Sequence, residues 1–139
     1  MGEATGSVRS RFGIKPGQVV QEFGYDDDVD QDLRDELESV VGSELVDEEY
    51  GDVTDAAILW WRGDDGDVHD LTDLVLDAMT ALEDGGLIWV LVPKPGRDGH
   101  VNPADVEEAA TIAGLHTTTT LSAAPDWTGL RLVTRSRGR

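Results

Sequence analysis

Two continuous apolar runs decide most of what this chain can fold into. Residues 55–61 read Asp-Ala-Ala-Ile-Leu-Trp-Trp, and residues 87–92 read Leu-Ile-Trp-Val-Leu-Val. Both have strand length and no polar alternation, the pattern of strands covered on both faces of a parallel sheet. Between them Leu71, Leu74, Val75, Ala78, Met79 and Leu82 recur at helical spacing. A strand, a helix and a second buried strand predict a right-handed parallel crossover. The core is therefore α/β.

The remaining segments extend that unit. Residues 18–23 form a β-type segment closed by Gly24. Leu33, Leu37, Val40 and Val41 predict an amphipathic helix over 30–41, capped by Asp28 or Asp30 and ended by Gly42. Residues 44–46 predict a short strand. Asp70 is expected to cap the crossover helix, and Gly85-Gly86 to stop it. Asn102-Pro103 has the form of an N-cap followed by proline at the first helical position, so a helix runs to about Ala113. Residues 116–123 and 128–134, joined by Ala124-Pro-Asp126, predict a closing hairpin. The expected architecture is a three-layer domain over 16–134. Its sheet has about six strands, mostly parallel, with a C-terminal antiparallel hairpin. Residues 1–15 read as a flexible arm and 135–139 as a basic tail.

Charge narrows the classes of partner. The 139 residues carry a net −18. Between Pro16 and Leu130 only Arg34, Arg62, Lys94 and Arg97 face 28 acids, a local charge of −24. Such a body repels nucleic acid, whose binding depends on neutralising phosphates, and repels anionic membranes. The absence of cysteine removes disulfides, thiolate metal sites and cysteine nucleophiles, and suits a cytoplasmic protein. The N-terminal stretch has no apolar core of the signal-peptide kind, and the longest apolar run is too short to span a membrane.

The loop after the first strand bears most on function. Nucleotide sites in open α/β sheets need a Gly-rich turn at this point. Here the sequence is Glu22-Phe-Gly-Tyr-Asp-Asp-Asp-Val-Asp30, with one glycine and four aspartates. A pyrophosphate would meet carboxylates, so no nucleotide cofactor is expected. The aspartates lack the spacing of a calcium loop, and His69, His100 and His116 stand singly; no metal is expected. No serine lies in a nucleophile elbow. Pro93 and Lys94 end the second apolar strand, and Trp127 and Gly129 follow the closing turn. With Gly24, Tyr25, Asp26, Asp27 and Asp28 they make up the candidate ligand or partner surface, because ligands of open sheets gather at the carboxyl ends of strands. Trp127 is open to a second reading, as a plug packed over the end of the sheet.

The second half, an apolar strand, helix, Gly-Gly turn, apolar strand, proline loop, helix and hairpin, resembles class I S-adenosylmethionine methyltransferases. Residues 56–61 resemble their fourth strand, 84–91 the turn into the fifth, and 117–134 the final hairpin. The front half is abbreviated, lacking one strand–helix pair between Val46 and Val53. The chain resembles more closely a family of small uncharacterised actinobacterial proteins. That likeness rests on Phe12-Gly-Ile-Lys-Pro-Gly-Gln-Val-Val, Leu87-Ile-Trp-Val with Pro93-Lys94, and Asp126-Trp-Thr-Gly-Leu-Arg-Leu-Val. It carries no activity with it.

Three functional readings stay open at this point. The first is a non-catalytic binding or regulatory protein acting through a protein partner on a degenerate methyltransferase-like fold. The second is a small atypical S-adenosylmethionine-dependent methyltransferase, with Tyr25, Asp26 and Lys94 as the residues to test. The third is an acidic decoy surface for a basic DNA-binding regulator. Self-association follows from two opposed features. The stretch His116-Thr-Thr-Thr-Thr-Leu121 is an uncharged edge-strand sequence that invites pairing, while like-charged bodies repel. The expectation is a monomer at low ionic strength that dimerises weakly as salt screens the charge. Light scattering across a salt series checks it, and a tight dimer already present at low salt contradicts it.

Overall fold

The computed structural model describes residues 11–134. The ends of the expected arm and tail, 1–10 and 135–139, lie outside the described residues. Along the chain run β1 (Val20–Phe23), α1 (Gln31–Val41), β2 (Thr54–Trp60), α2 (Val68–Ala81), β3 (Leu82–Pro93), α3 (Pro103–Ile112), β4 (Leu115–Ala124) and β5 (Trp127–Thr134). The sheet order is β1-β2-β3-β5-β4. The pairs β1–β2 and β2–β3 are parallel, and β3–β5 and β4–β5 antiparallel. The sheet has five strands where about six were expected. The segment 44–46 contributes only a single parallel bridge, Val46 to Gln21.

Period-two alternation sorts the two apolar strands onto two cores. Ala57, Leu59 and Trp61, with Ile88, Val90 and Val92, face α2 and α3. Ala56, Ile58 and Trp60, with Trp89 and Leu91, face α1. The adjacent tryptophans 60 and 61 thus serve opposite faces, and the helices form the outer layers. The second core also takes in Phe12 and Ile14, both fully buried, and the Trp89 indole N–H donates to the Phe12 carbonyl at 3.0 Å. The arm expected over 1–15 therefore belongs to the folded body from Phe12 onward.

Local chemistry explains the element ends. Asp30 accepts from the Leu33 N–H at 2.8 Å and caps α1; Gly42, at φ 85°, closes it in the left-handed conformation. The cap of α2 is Asp67 rather than Asp70. The two form a reciprocal capping box in which Asp70 is the third helical residue. Gly85-Gly86 does not end that helix. It ends at Ala81, and Leu82 already pairs with Thr54. The next aligned pair is Ala56 with Leu87, so residues 83–86 bulge from β3, with Gly85 at φ 82°.

The layering predicts unequal costs for two leucine truncations. Leu37→Ala, in the fully buried centre of α1, is expected to cost about 2–5 kcal/mol. Leu76→Ala, on the exposed side of α2, should stay within about 0.5 kcal/mol. Urea denaturation of the two variants against the parent measures the difference.

Candidate functional site

The carboxyl ends of β1 and β2 are locked together by side chains. Gly24 follows β1 at φ 77°, and a Cβ there would collide with the Trp60 carbonyl oxygen. Glycine at this position lets the backbone turn tightly across the end of β2. Arg62, two residues beyond β2, fills the space above. Its guanidinium donates to the Gly24 carbonyl at 2.7 Å and the Trp60 carbonyl at 3.2 Å. It also holds Asp28 through its ε nitrogen, at 3.0 Å, and through one terminal nitrogen. The group lies 5.3 Å from the centre of the Trp127 ring. Asp65 adds a contact at 3.5 Å to the guanidinium and accepts from the Arg62 backbone N–H at 2.9 Å.

A second cation holds the layer beneath. Glu22 is buried, and both its oxygens accept from Arg34, at 2.7 and 2.9 Å. The Trp60 indole N–H donates to the same carboxylate at 2.8 Å. Trp60 meets Trp127 edge-on, with centroids 4.8 Å apart. The guanidinium of Arg34 also lies 4.8 Å from the centre of the Tyr25 ring, and Gln31 donates to the Tyr25 hydroxyl at 3.3 Å.

These charges tune one another. Hydrogen bonding to Arg62 draws Asp28 below its ordinary value, against some desolvation. Burial opposes the charge on Arg62, but Asp28 and then Asp65 outweigh it and raise the group. Glu22 raises Arg34. Both guanidinium groups stay charged throughout the accessible range.

The sequence-derived candidates fall into four places. Gly24, Asp28 and Trp127 meet around Arg62. Trp127 is buried and acts as the plug over the sheet end, where Pro93 is its partner in the β3–β5 ladder. Asp26 holds the turn by accepting from the Asp27 N–H at 2.7 Å, while Asp27 itself is exposed, as is Tyr25. Lys94 is drawn away to Ser122, its ammonium donating at 2.6 Å. Gly129 sits within β5, where an added Cβ would press on Leu91, Trp89 and Ala123 at 3.2–3.4 Å, so its smallness serves packing.

Arg62 and Glu22 were not among the candidates. The signal for Arg62 was present: one of four basic residues in an acidic body, directly after an apolar strand. Glu22 gave none, because its partners come from α1 and β2. Glu48 is a third omission. It lies just past the Val46 bridge, near where a dinucleotide-binding unit carries its ribose-binding acid. Its carboxylate instead accepts from the Gly24 N–H at 2.9 Å. Among the described residues no three His, Asp or Glu side chains come together as a metal site. No described helix is long and apolar enough to cross a membrane.

The sheet order and flanking helices are those of a methyltransferase-like fold. The magnesium protoporphyrin IX methyltransferase of Synechocystis PCC 6803 with bound SAM superposes with a TM-score of 0.57 at 13% identity, over 91% of this chain and 74% of that one. The O-methyltransferase NcsB1 of neocarzinostatin biosynthesis gives 0.62 at 11% identity, over 86% of this chain and half of that one. At such identities the likeness shows the fold alone. Residues 9–136 match the family described as "Protein of unknown function (DUF3052)", and the chain belongs to that family. An uncharacterised protein of Mycobacterium tuberculosis strain H37Rv is 44% identical over 123 residues, 88% of this chain and 75% of that protein.

An S-adenosyl ligand, which the fold implies, does not fit the crevice as these residues fill it. A ligand between the ends of β1 and β2 would have to displace the Arg62 guanidinium from two carbonyls, two carboxylates and an indole face.

The depressed Asp28 value carries a sign. Its ionised form is stabilised by folding, so its contribution is complete above the unfolded value of 3.8 and is lost as pH falls through the lower folded value. Asp28→Asn should be less stable than the parent at about pH 7, and the gap should narrow by about pH 3. Urea midpoints of the two proteins at both pH values test this; a constant gap contradicts it.

Proposed function

We propose that this protein is a non-catalytic binding or regulatory protein on a shortened methyltransferase-like fold, acting through a protein partner. One observation carries the reading: Arg62 takes the place that a ligand would need at the carboxyl ends of β1 and β2, bound there to Asp28 and under Trp127. Three further features support it. The turn after β1 has one glycine, and that glycine is closed against Trp60 rather than left open to a ligand. Tyr25, Asp26 and Lys94, the residues a methyltransferase reading would rely on, do not converge on a common point. Tyr25 stacks under Arg34, Asp26 holds its own turn, and Lys94 reaches Ser122. The local charge of −24 favours a basic protein partner over nucleic acid.

Isothermal titration with S-adenosylmethionine and with S-adenosylhomocysteine tests the proposal. Neither should release measurable heat, and neither should raise the melting temperature, since a ligand that binds only the folded state must stabilise it. Micromolar binding of either overturns the reading and restores the atypical methyltransferase.

A further inference from the structure

Past the Val46 bridge no described strand covers the free side of β1, and a cleft of about 790 Å³ opens there. Its volume lies within the range of about 300–1,000 Å³ typical of small-molecule sites. Arg62, Asp28, Asp65, Trp60 and Trp127 do not line this cleft, although Phe23 directly precedes Gly24 and Glu48 accepts from the Gly24 N–H; the inference does not depend on the reading above.

Every charged side chain lining this cleft among the described residues is acidic. Glu48, Asp52, Asp77, Glu83 and Asp84 line it, and among the described residues no lysine, arginine or histidine does. The carboxylates come from three separate elements: the segment after the Val46 bridge, the last turns of α2, and the bulge of β3. The carboxyl end of α2 is directed here too, through Asp77, Thr80 and Ala81. Its last turn carries no basic residue to balance the negative end of the helix.

A buried acceptor adds an independent sign. Gln21 lines the cleft and is 2% exposed. Its amide nitrogen donates to the Asp47 carbonyl at 3.0 Å and the Tyr50 carbonyl at 3.4 Å, which sets the orientation of the amide. The amide oxygen is left with no donor. Buried acceptors of this kind are uncommon and call for a partner. The apolar lining comes from Phe23, Leu82 and Val53, and Val53 is half exposed. Among the described residues no carboxylate group is gathered tightly enough for a metal ion. Dispersed negative charge over an apolar floor suits a cation whose charges are spaced by methylenes.

We propose that this cleft binds a linear aliphatic polyamine, with one ammonium group donating to the Gln21 amide oxygen and the others meeting the surrounding carboxylates. An ammonium group brings several donors and no acceptor, which matches a lining of acceptors. The alkyl spacers cover Val53 and Leu82.

Titration of the full chain with spermine tests the proposal. A highly acidic protein binds polycations diffusely, so site dependence is the readout. The parent is expected to take up one spermine per chain. Asp77→Asn with Glu83→Gln, both at exposed positions and therefore harmless to the fold, should weaken it at least tenfold. The same charge removed from the outer face of α3, by Asp105→Asn with Glu107→Gln, should change affinity less than twofold. Gln21→Leu should weaken binding if its circular dichroism spectrum and urea midpoint remain those of the parent. Equal losses from the α2/β3 and α3 pairs, or the absence of a saturable one-to-one event, overturn the proposal. So does a lysine-rich peptide that competes at the cleft with higher affinity than spermine, which would make the site a peptide groove.

Discussion

Four cations hold one end of this sheet, and they are the four that lie between Pro16 and Leu130 among 28 acids. Arg34 binds Glu22 beneath the end of β1. Arg62 ties the β1 loop to the end of β2. Lys94 and Arg97, past the end of β3, reach Ser122 and Asp126 on the closing hairpin. All four act at the carboxyl ends of the parallel strands. The first two are the stronger contributors, because their guanidinium groups are largely withdrawn from water and meet carboxylates and carbonyls in fixed geometry. The Arg97–Asp126 pair is more than half exposed on both sides and contributes little. Arg62 occupies the crevice between the ends of β1 and β2.

The opposite constraint acts at the side of the sheet. A parallel strand with one long neighbour presents unpaired backbone groups that must be covered. The chain covers β1 without a sixth strand. Val46 exchanges one pair of backbone hydrogen bonds with Val20 and Glu22, at 3.0 and 2.8 Å. Side chains do the rest: Gln21 holds the Asp47 and Tyr50 carbonyls, and Glu48 takes the Gly24 N–H. This economical cover secures the strand but replaces no helix. The acidic cleft beside α2 is the space that results.

Much of the architecture was legible in the chain because burial writes itself into periodicity. The runs at 55–61 and 87–92, the spacing of Leu33 and Leu37, and Asn102-Pro103 each map onto an observed element. The errors lie where two local signals compete. Asp67 and Asp70 are both good caps, and only the helix start shows that they act together. Gly85-Gly86 reads as a helix stop, but β3 pairing begins at Leu82 and the glycines serve a bulge instead. Residues 44–46 have strand composition, yet only Val46 meets β1, so they form a single bridge. Phe12 and Ile14 lie in a polar stretch, and Trp89, the residue that recruits them, is 77 positions away.

The sequence by itself determined an acidic α/β domain with a parallel crossover, a closing hairpin and a turn after β1 unsuited to phosphate. Those properties follow from short-range spacing and from counts of charge, which need no knowledge of contacts. Only the tertiary structure decided that Asp28 pairs with Arg62, that Trp127 is buried over the sheet end, and that Glu22 is buried against Arg34 and Trp60. Each of these depends on side chains brought together from separate elements: Arg62 and Asp28 are 34 residues apart, and Trp60 and Glu22 are 38 apart. An aspartate in a loop reads the same whether it faces water, a metal or a guanidinium. The partner defines its role, and the partner is chosen by the register of β1 on β2.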